Sequence, residues 1–154
     1  MTSETLSNTA LSRKAWLAVL ARASYEQLKP QMPSADLLAN LQLVRQPDVG
    51  MLMLRGRVGG TGNPFNLGEA TVVRSAVRLG DGPLGVSYAL GRDKHRGELA
   101  AIFDALLQDP LHHDQLQRDL IAPLANAQAQ SKAVIQSKMA SSKVEFFTFV
   151  RGEA

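Results

Sequence analysis

The fold is decided by residues 55–94, which read RGRVGGTGNPFNLGEATVVRSAVRLGDGPLGVSYALGRDK. A glycine-rich loop opens this stretch, and a run with the alternation of a β-strand follows from Glu69 to Leu79. The next residues, Gly80-Asp81-Gly82-Pro83, are types that favour a tight turn. Residues Leu84 to Leu90 then have the pattern of a return strand. The stretch therefore predicts an antiparallel hairpin.

Side chains alternate between the two faces of a strand, so the pattern also assigns faces. On the return strand, Val86, Tyr88 and Leu90 form the apolar face. Small side chains stand on the opposite face, and they belong to Gly85, Ser87 and Ala89.

Two more strands are predicted upstream of the hairpin. Leu41, Leu43 and Val44 mark the first, which ends at the turn-like residues 47–50, and residues 51–58 form the second. Alternation in the second strand predicts one face for the core, made of Leu52, Leu54, Gly56 and Val58. The sheet is therefore expected to have four strands.

Helical patterns flank the sheet on both sides. Trp16, Val19 and Leu20 repeat at helical spacing after Ser12, and Ser24 with Gln27 has the spacing of a capping box that starts a second helix. After the sheet, Asp93 is a good N-cap for an amphipathic helix. Its apolar stripe consists of Leu99, Ile102, Phe103, Leu106 and Leu107.

The C-terminal third is also helical from Leu111, with a break predicted at Pro123. Residues 126–143 contain few large apolar side chains, so a helix there buries little unless another chain covers it. Residues 144–152 read as a short aromatic strand with phenylalanine on both faces, which fits either a strand buried on both faces or one with a face in the core and the other against a partner. The expected class is α+β: two N-terminal helices, an antiparallel sheet, two or three helices and the aromatic strand.

The composition limits the classes of function. The chain has 154 residues and no cysteine, which excludes disulfides, thiolate metal ligands and a cysteine nucleophile. No apolar run approaches the length of a membrane span. We expect a polar, disordered stretch over residues 1–11, one domain over residues 12–154, and a cytoplasmic location. The adjacent His112 and His113 point about 100° apart in a helix and make a poor chelate, so no metal site is predicted.

Basic residues and glycines together predict an anion-binding surface. Glycines allow backbone amides to approach a phosphate closely, and the start of a helix adds a partial positive charge. The formal net charge of +3 also fits a protein with a solvated basic face and no specific ligand, and that alternative stays open. The candidate residues are Gly59, Gly60, Thr61, Gly62, Arg74, Arg78, Arg92 and Lys94.

Short motifs along the chain also occur in a characteristic order. They are Gly59-Gly60-Thr61-Gly62, Phe65, Gly68-Glu69-Ala70-Thr71, Arg74, Ala76-Val77-Arg78, Gly85, Gly91-Arg92-Asp93-Lys94, Asp104-Ala105-Leu106, Ile121-Ala122-Pro123-Leu124, Phe146-Phe147 and Arg151-Gly152. In this order they resemble the phosphonate metabolism protein PhnG family, from about Trp16 to the C-terminus.

The resemblance implies a role that composition alone does not supply. Members of that family are subunits of the bacterial carbon–phosphorus lyase core complex, where they work with H, I and J subunits. The complex forms α-D-ribose 1-methylphosphonate 5-triphosphate from ATP and methylphosphonate. A separate subunit with an iron–sulfur cluster and S-adenosylmethionine later breaks the carbon–phosphorus bond. This chain has no cysteine for such a cluster.

Three functional hypotheses follow. In the first, the chain is an accessory subunit without catalytic residues, because no acid–base pair or nucleophile set is visible, and no cofactor is expected on it. The aromatic end would then serve as a partner interface through Phe146, Phe147, Phe149 and Arg151. In the second, the chain is a stand-alone phosphate- or nucleotide-binding module. Nucleic-acid binding ranks last, because the sheet lacks interleaved aromatic and basic residues. A homodimer is predicted for the chain in isolation.

Overall fold

The computed structural model describes residues 11–142 and confirms the α+β class. The elements in chain order are α1 (Arg13–Arg22), α2 (Tyr25–Leu28), a 3-10 turn (Lys29–Gln31), α3 (Ala35–Leu38), β1 (Leu41–Arg57), a 3-10 turn (Val58–Gly60), β2 (Pro64–Leu79), β3 (Leu84–Leu90), α4 (Lys94–Leu107), α5 (Pro110–Leu116), a π-helical turn (Gln117–Ile121) and α6 (Ala122–Ser141). The capping box of α2 and the Asp93 cap of α4 are formed as predicted.

The described part of the sheet has three strands in the order β1-β2-β3, all antiparallel. The prediction of four strands was wrong here, because the two expected upstream strands are one continuous 17-residue strand. Its register slips on β2 between Leu43 and Arg45 and again between Arg45 and Asp48. Proline lacks a backbone N–H and is tolerated at such irregularities, so Pro47 bends the strand without ending it. The aromatic strand predicted over residues 144–152 lies outside the described residues.

Helix α4 packs directly on the sheet, and small residues make this contact close. A Cβ on Gly85 would lie 2.1 Å from the carbonyl oxygen of Ala101, and a Cβ on Gly97 would lie 2.9 Å from Val73 Cγ2. The buried face of β3 is therefore the face of small residues. Tyr88 and Leu90, on the face that alternation marked as apolar, are 58% and 64% exposed.

The core lies between the sheet and a layer made of α1, α4 and the helices that follow. The predicted apolar stripe of α4 is buried along its whole length. Trp16, Val19 and Leu20 of α1 are buried as well. Leu116, Leu120 and others from the C-terminal helices complete this core. The predicted helix break at Pro123 is a change of helix type, because the π-helical turn leads directly into α6.

One buried carboxylate ties three elements together. Asp104 on α4 is fully buried and accepts hydrogen bonds from Arg13 Nη2 (2.8 Å) and Trp16 Nε1 (2.9 Å) of α1. It also accepts one from the backbone N–H of Val86 on β3 at 2.9 Å. The hydrogen bond to Asp104 raises the pKa of Arg13. Because a buried charge is costly unless it is paired, this network fixes α1 against β3 and α4.

Helix α6 leaves the core after its first turn. Leu124 is its one buried residue, and Gln128 Nε2 still donates to the carbonyl oxygen of Val19 at 2.9 Å. Further along, Val134, Ile135 and Met139 are more than half exposed. None of the helices in residues 11–142 has the length and apolarity to cross a membrane.

Candidate functional site

The most unusual surface of the protein is a two-stranded antiparallel ribbon, formed by residues 51–57 of β1 and 64–71 of β2. Thr71 pairs with Met51 at its base, and Pro64 pairs with Arg57 at its tip. The third strand does not extend along it, because β3 pairs only with residues 72–78 of β2. At the usual rise per residue, the ribbon is about 24 Å long.

The ribbon and its tip expose large apolar side chains on both faces. The exposed fractions are Met51 60%, Leu52 48%, Met53 49%, Leu54 39%, Val58 72%, Phe65 42% and Leu67 64%. The prediction that one face of this strand lies in the core was therefore wrong for Leu52, Leu54 and Val58. The reason is that the described helices do not cover this part of the sheet. Contiguous apolar surface of this kind usually marks a site where another molecule binds.

The sequence contains a signal for this exposed surface, although the alternation rule assigned one face of the strand to the core. Residues 51–54 read Met-Leu-Met-Leu, so both faces of the strand are apolar there. A strand that is half-buried at the surface of one domain would alternate with polar residues. Four consecutive apolar residues in a strand with no covering helix predict contact with a second polypeptide.

The glycine-rich loop lies at the tip of the ribbon. Gly59 and Gly60 have φ values of 61° and 79°, a region that favours glycine. The loop is closed by its own contacts, because the N–H of Gly62 donates to the carbonyl oxygen of Val58 at 3.0 Å. Arg57 Nη1 donates to the carbonyl oxygen of Gly62 at 3.2 Å. These two bonds shape the turn and occupy one of the amides proposed to face an anion.

A charged cluster lies at the base of the ribbon. Asp48 Oδ2 is 2.9 Å from Arg74 Nη2, and Asp48 Oδ1 is 3.2 Å from Arg45 Nε. Hydrogen bonds from Arg45 and then Arg74 lower the pKa of Asp48. The guanidinium of Arg74 lies across Gly50, where a Cβ would be 3.1 Å from Nη2. Arg74 is therefore engaged by a carboxylate of its own chain.

The structure separates the predicted anion-binding residues into two groups. Residues 59–62 lie at the ribbon tip, whereas Arg74 lies ten residues along β2 from Pro64, which corresponds to about 33 Å in a strand. Arg78, Arg92 and Lys94 are exposed and lie on the body of the domain. The two groups cannot form one pocket, and anion binding by either stays a prediction. The predicted interface residues Phe146, Phe147, Phe149 and Arg151 lie outside the described residues.

Within residues 11–142, no cluster of three or more histidine, aspartate or glutamate side chains could hold a metal ion. His112 Nδ1 lies 3.6 Å from Asp109 Oδ2, and His113 Nδ1 contacts the carbonyl oxygen of Leu107 at 2.6 Å. Each histidine is thus used in local packing at the junction of α4 and α5.

Comparison with known proteins identifies a matching family and a similar relative. A protein-family model described as phosphonate metabolism protein PhnG matches residues 11–152. A protein from Rhizobium meliloti (strain 1021), named alpha-D-ribose 1-methylphosphonate 5-triphosphate synthase subunit PhnG, is 42% identical over 143 residues. That alignment covers 92% of this chain and 90% of the relative.

Proposed function

This chain belongs to the phosphonate metabolism protein PhnG family, and on that premise we propose that it is an accessory subunit of a carbon–phosphorus lyase core complex. In that role it supports the formation of α-D-ribose 1-methylphosphonate 5-triphosphate from ATP and methylphosphonate. The observation that carries the proposal is the 42% identity to a named synthase subunit along 92% of the chain. Its partners are the H, I and J subunits.

The exposed ribbon supports the role of a subunit. The seven large apolar side chains of the ribbon and its tip are between 39% and 72% exposed. Complete burial of such a side chain stabilises by about 1.5–3 kcal/mol, so covering the remaining surface contributes roughly 1 kcal/mol per residue. Seven such residues make the ribbon a suitable anchor in a groove of another subunit.

The chemistry is assigned to the other subunits. The sequence has no cysteine to bind an iron–sulfur cluster, and two of the described carboxylates, Asp104 and Asp48, are engaged in pairs with Arg13 and Arg74. We accordingly assign ATP and the cofactors of bond cleavage to the other subunits of the complex. A subunit of this kind contributes shape and adhesion, and the residues that turn over substrate come from its partners.

A co-purification experiment tests the proposal. The chain is expressed with the H, I and J subunits, and one partner carries the affinity tag. We expect the natural chain to co-purify in equimolar amount, and the double substitution Leu52→Asp and Leu54→Asp to abolish this, because two charges would be buried without partners. Leu111→Asp is the matched control, since Leu111 is 86% exposed on α5.

The ribbon variant must also remain folded for the result to count. Because both leucines project from the ribbon, we expect the melting temperature of the isolated chain to stay close to that of the control. Failure of the natural chain to bind any of the three partners would overturn the proposed function. Undiminished binding by the folded double variant would overturn the role of the ribbon alone.

A further inference from the structure

The outer edge of β3 is an incomplete part of the sheet. One side of β3 pairs with β2, and the described residues place no strand on its other side. The N–H of Gly91 donates to the carbonyl oxygen of Thr71 on β2, so backbone groups at odd positions point toward β2. Those at even positions, including Tyr88, point to the open edge.

Side chains close both ends of this edge. At the first end, the N–H of Val86 donates to Asp104, and the carbonyl oxygen of Leu84 accepts from Arg13 Nη2 at 3.2 Å and Gln108 Nε2 at 2.9 Å. At the other end, the carbonyl oxygen of Leu90 accepts from Arg96 Nη2.

A window of four backbone groups remains between these closed ends. They are the carbonyl oxygen of Val86, both groups of Tyr88 and the N–H of Leu90, and within residues 11–142 none has a hydrogen-bond partner in the outward direction. An unpaired strand edge readily binds another extended segment. The window has the length needed for one short strand.

A groove lies beside this window, beneath α1. It is lined by Leu17, Leu20 and Ala21 of α1, by Ala100 of α4 and by residues 86–88 of β3, and its volume is about 110 Å³. A strand that paired with Tyr88 would direct every second side chain into this apolar groove and the others to the opposite face. The occupant should therefore be extended and apolar on both faces.

We propose that residues 144–150 of this same chain, Val-Glu-Phe-Phe-Thr-Phe-Val, bind at this edge as the fourth strand of the sheet. Their alternation directs Phe147 and Phe149 to one face and Phe146 to the other, as the groove and the exposed Tyr88 face require.

The path of α6 brings this segment within reach. Gln136 of α6 lines the same cleft as Arg22 of α1, which follows the groove residue Ala21. Ser142 lies six residues beyond Gln136, about 9 Å along a helix. Residues 143–146 span up to about 13 Å when extended, and this is the length of chain available to bring Phe147 back to the edge.

A second copy of the chain is a worse occupant. The open groups of the window are self-complementary around Tyr88, so two β3 edges could pair by a twofold axis perpendicular to the sheet. That axis would place both α1 helices on the same face of the joined sheet, beside the shared edge. A single extended segment carries no helix and needs no space for one there.

Hydrogen exchange of the full-length chain tests the proposal. We expect the amides of Tyr88 and Leu90 to exchange at least ~10-fold more slowly in the natural chain than in the Phe147→Asp, Phe149→Asp double variant. The amides of Ser87 and Ala89 point toward β2 and serve as internal controls that stay equally protected. Fast exchange of Tyr88 in the natural chain would overturn the proposal.

Disulfide formation gives a second, independent readout, because the chain has no cysteine of its own. Tyr88→Cys is combined in turn with cysteine at 147, 148 or 149, and the control combines Tyr88→Cys with Ser137→Cys on the exposed part of α6. Paired strand residues lie within disulfide distance, so we expect one of the three pairs to form an intramolecular bond. Only intermolecular bonds, or no bond above the control, would overturn the proposal.

Discussion

The carboxylate of Asp104 is the point at which α1, β3 and α4 are held together, and its substitution by asparagine gives the sharpest stability prediction. Asparagine has nearly the same shape but replaces one oxygen by an NH₂ group and removes the charge. The oxygen Oδ2 accepts from Arg13 Nη2 and from the N–H of Val86, both of which are donors. In the Asp104→Asn variant these donors would face another donor.

The cost can be worked from the individual contacts. A backbone N–H that loses its acceptor in the interior costs about 1–3 kcal/mol, and this applies to Val86. The side chain of Arg13 is 44% exposed, so water replaces part of the lost ion pair and this contributes about 1 kcal/mol. If the amide flips to satisfy Val86, Trp16 Nε1 loses its acceptor instead, and the sum is similar. We expect a loss of about 3 kcal/mol.

Thermal and chemical denaturation measure this loss directly. In a chain of this size each kcal/mol lowers the melting temperature by about 2–4 °C, so the expected fall is about 6–12 °C. Asp114→Asn on the exposed surface of α5 removes the same charge and should change the melting temperature little. A loss below about 1 kcal/mol for Asp104→Asn would show that the buried network is not a main source of stability.

Two further predictions concern the close contact of α4 with the sheet and the charged cluster at the base of the ribbon. Gly85→Ala should destabilise the protein by about 3 kcal/mol or more in urea denaturation, because the new Cβ meets the helix backbone. The control substitution Asp81→Ala, in the exposed turn, should leave the stability nearly unchanged. An unchanged stability of Gly85→Ala would contradict the close helix–sheet distance. The fold lowers the pKa of Asp48, so the ionised carboxylate stabilises the protein above its ordinary pKa near 4. This stabilisation is lost as the pH falls through the lowered pKa. Asp48→Asn should therefore flatten the decrease in melting temperature below about pH 4. An unchanged acid profile in that variant would show that the pairs with Arg45 and Arg74 do not persist in solution.

Capping and periodicity rules, which act within a single helix, predicted the helices of this protein well. The Ser24–Gln27 capping box, the Asp93 cap and the apolar stripe of α4 all depend on spacings within one helix, so the sequence contains the full information. The buried pairing of Asp104 with Arg13 and Trp16 joins residues 88 and 91 positions apart. No local pattern in the sequence predicts that contact, and in the sequence Asp104 looks no different from several other scattered acidic residues.

The strands were harder to predict because burial depends on what covers them. In β3 the large side chains point outward and the small ones inward, since α4 approaches so closely that only glycine, serine and alanine fit beneath it. A hydrophobicity scale would instead place the large side chains in the core and the small ones at the surface. Likewise Pro47 reads as a turn, although a bulge in a strand accommodates it equally well.

The extent of the helix layer explains why the described helices leave part of this sheet uncovered. Helix α4 has 14 residues and is about 21 Å long, whereas β2 has 16 residues and extends for about 53 Å. The helix can therefore cover less than half of the strand, and β2 is buried at Val73 and Val77 but exposed at Phe65 and Leu67. The apolar spacing is similar in both halves, so the pattern alone does not distinguish them. The excess length of β1 and β2 over α4 generates the ribbon, and we propose that its apolar side chains on both faces contact another subunit.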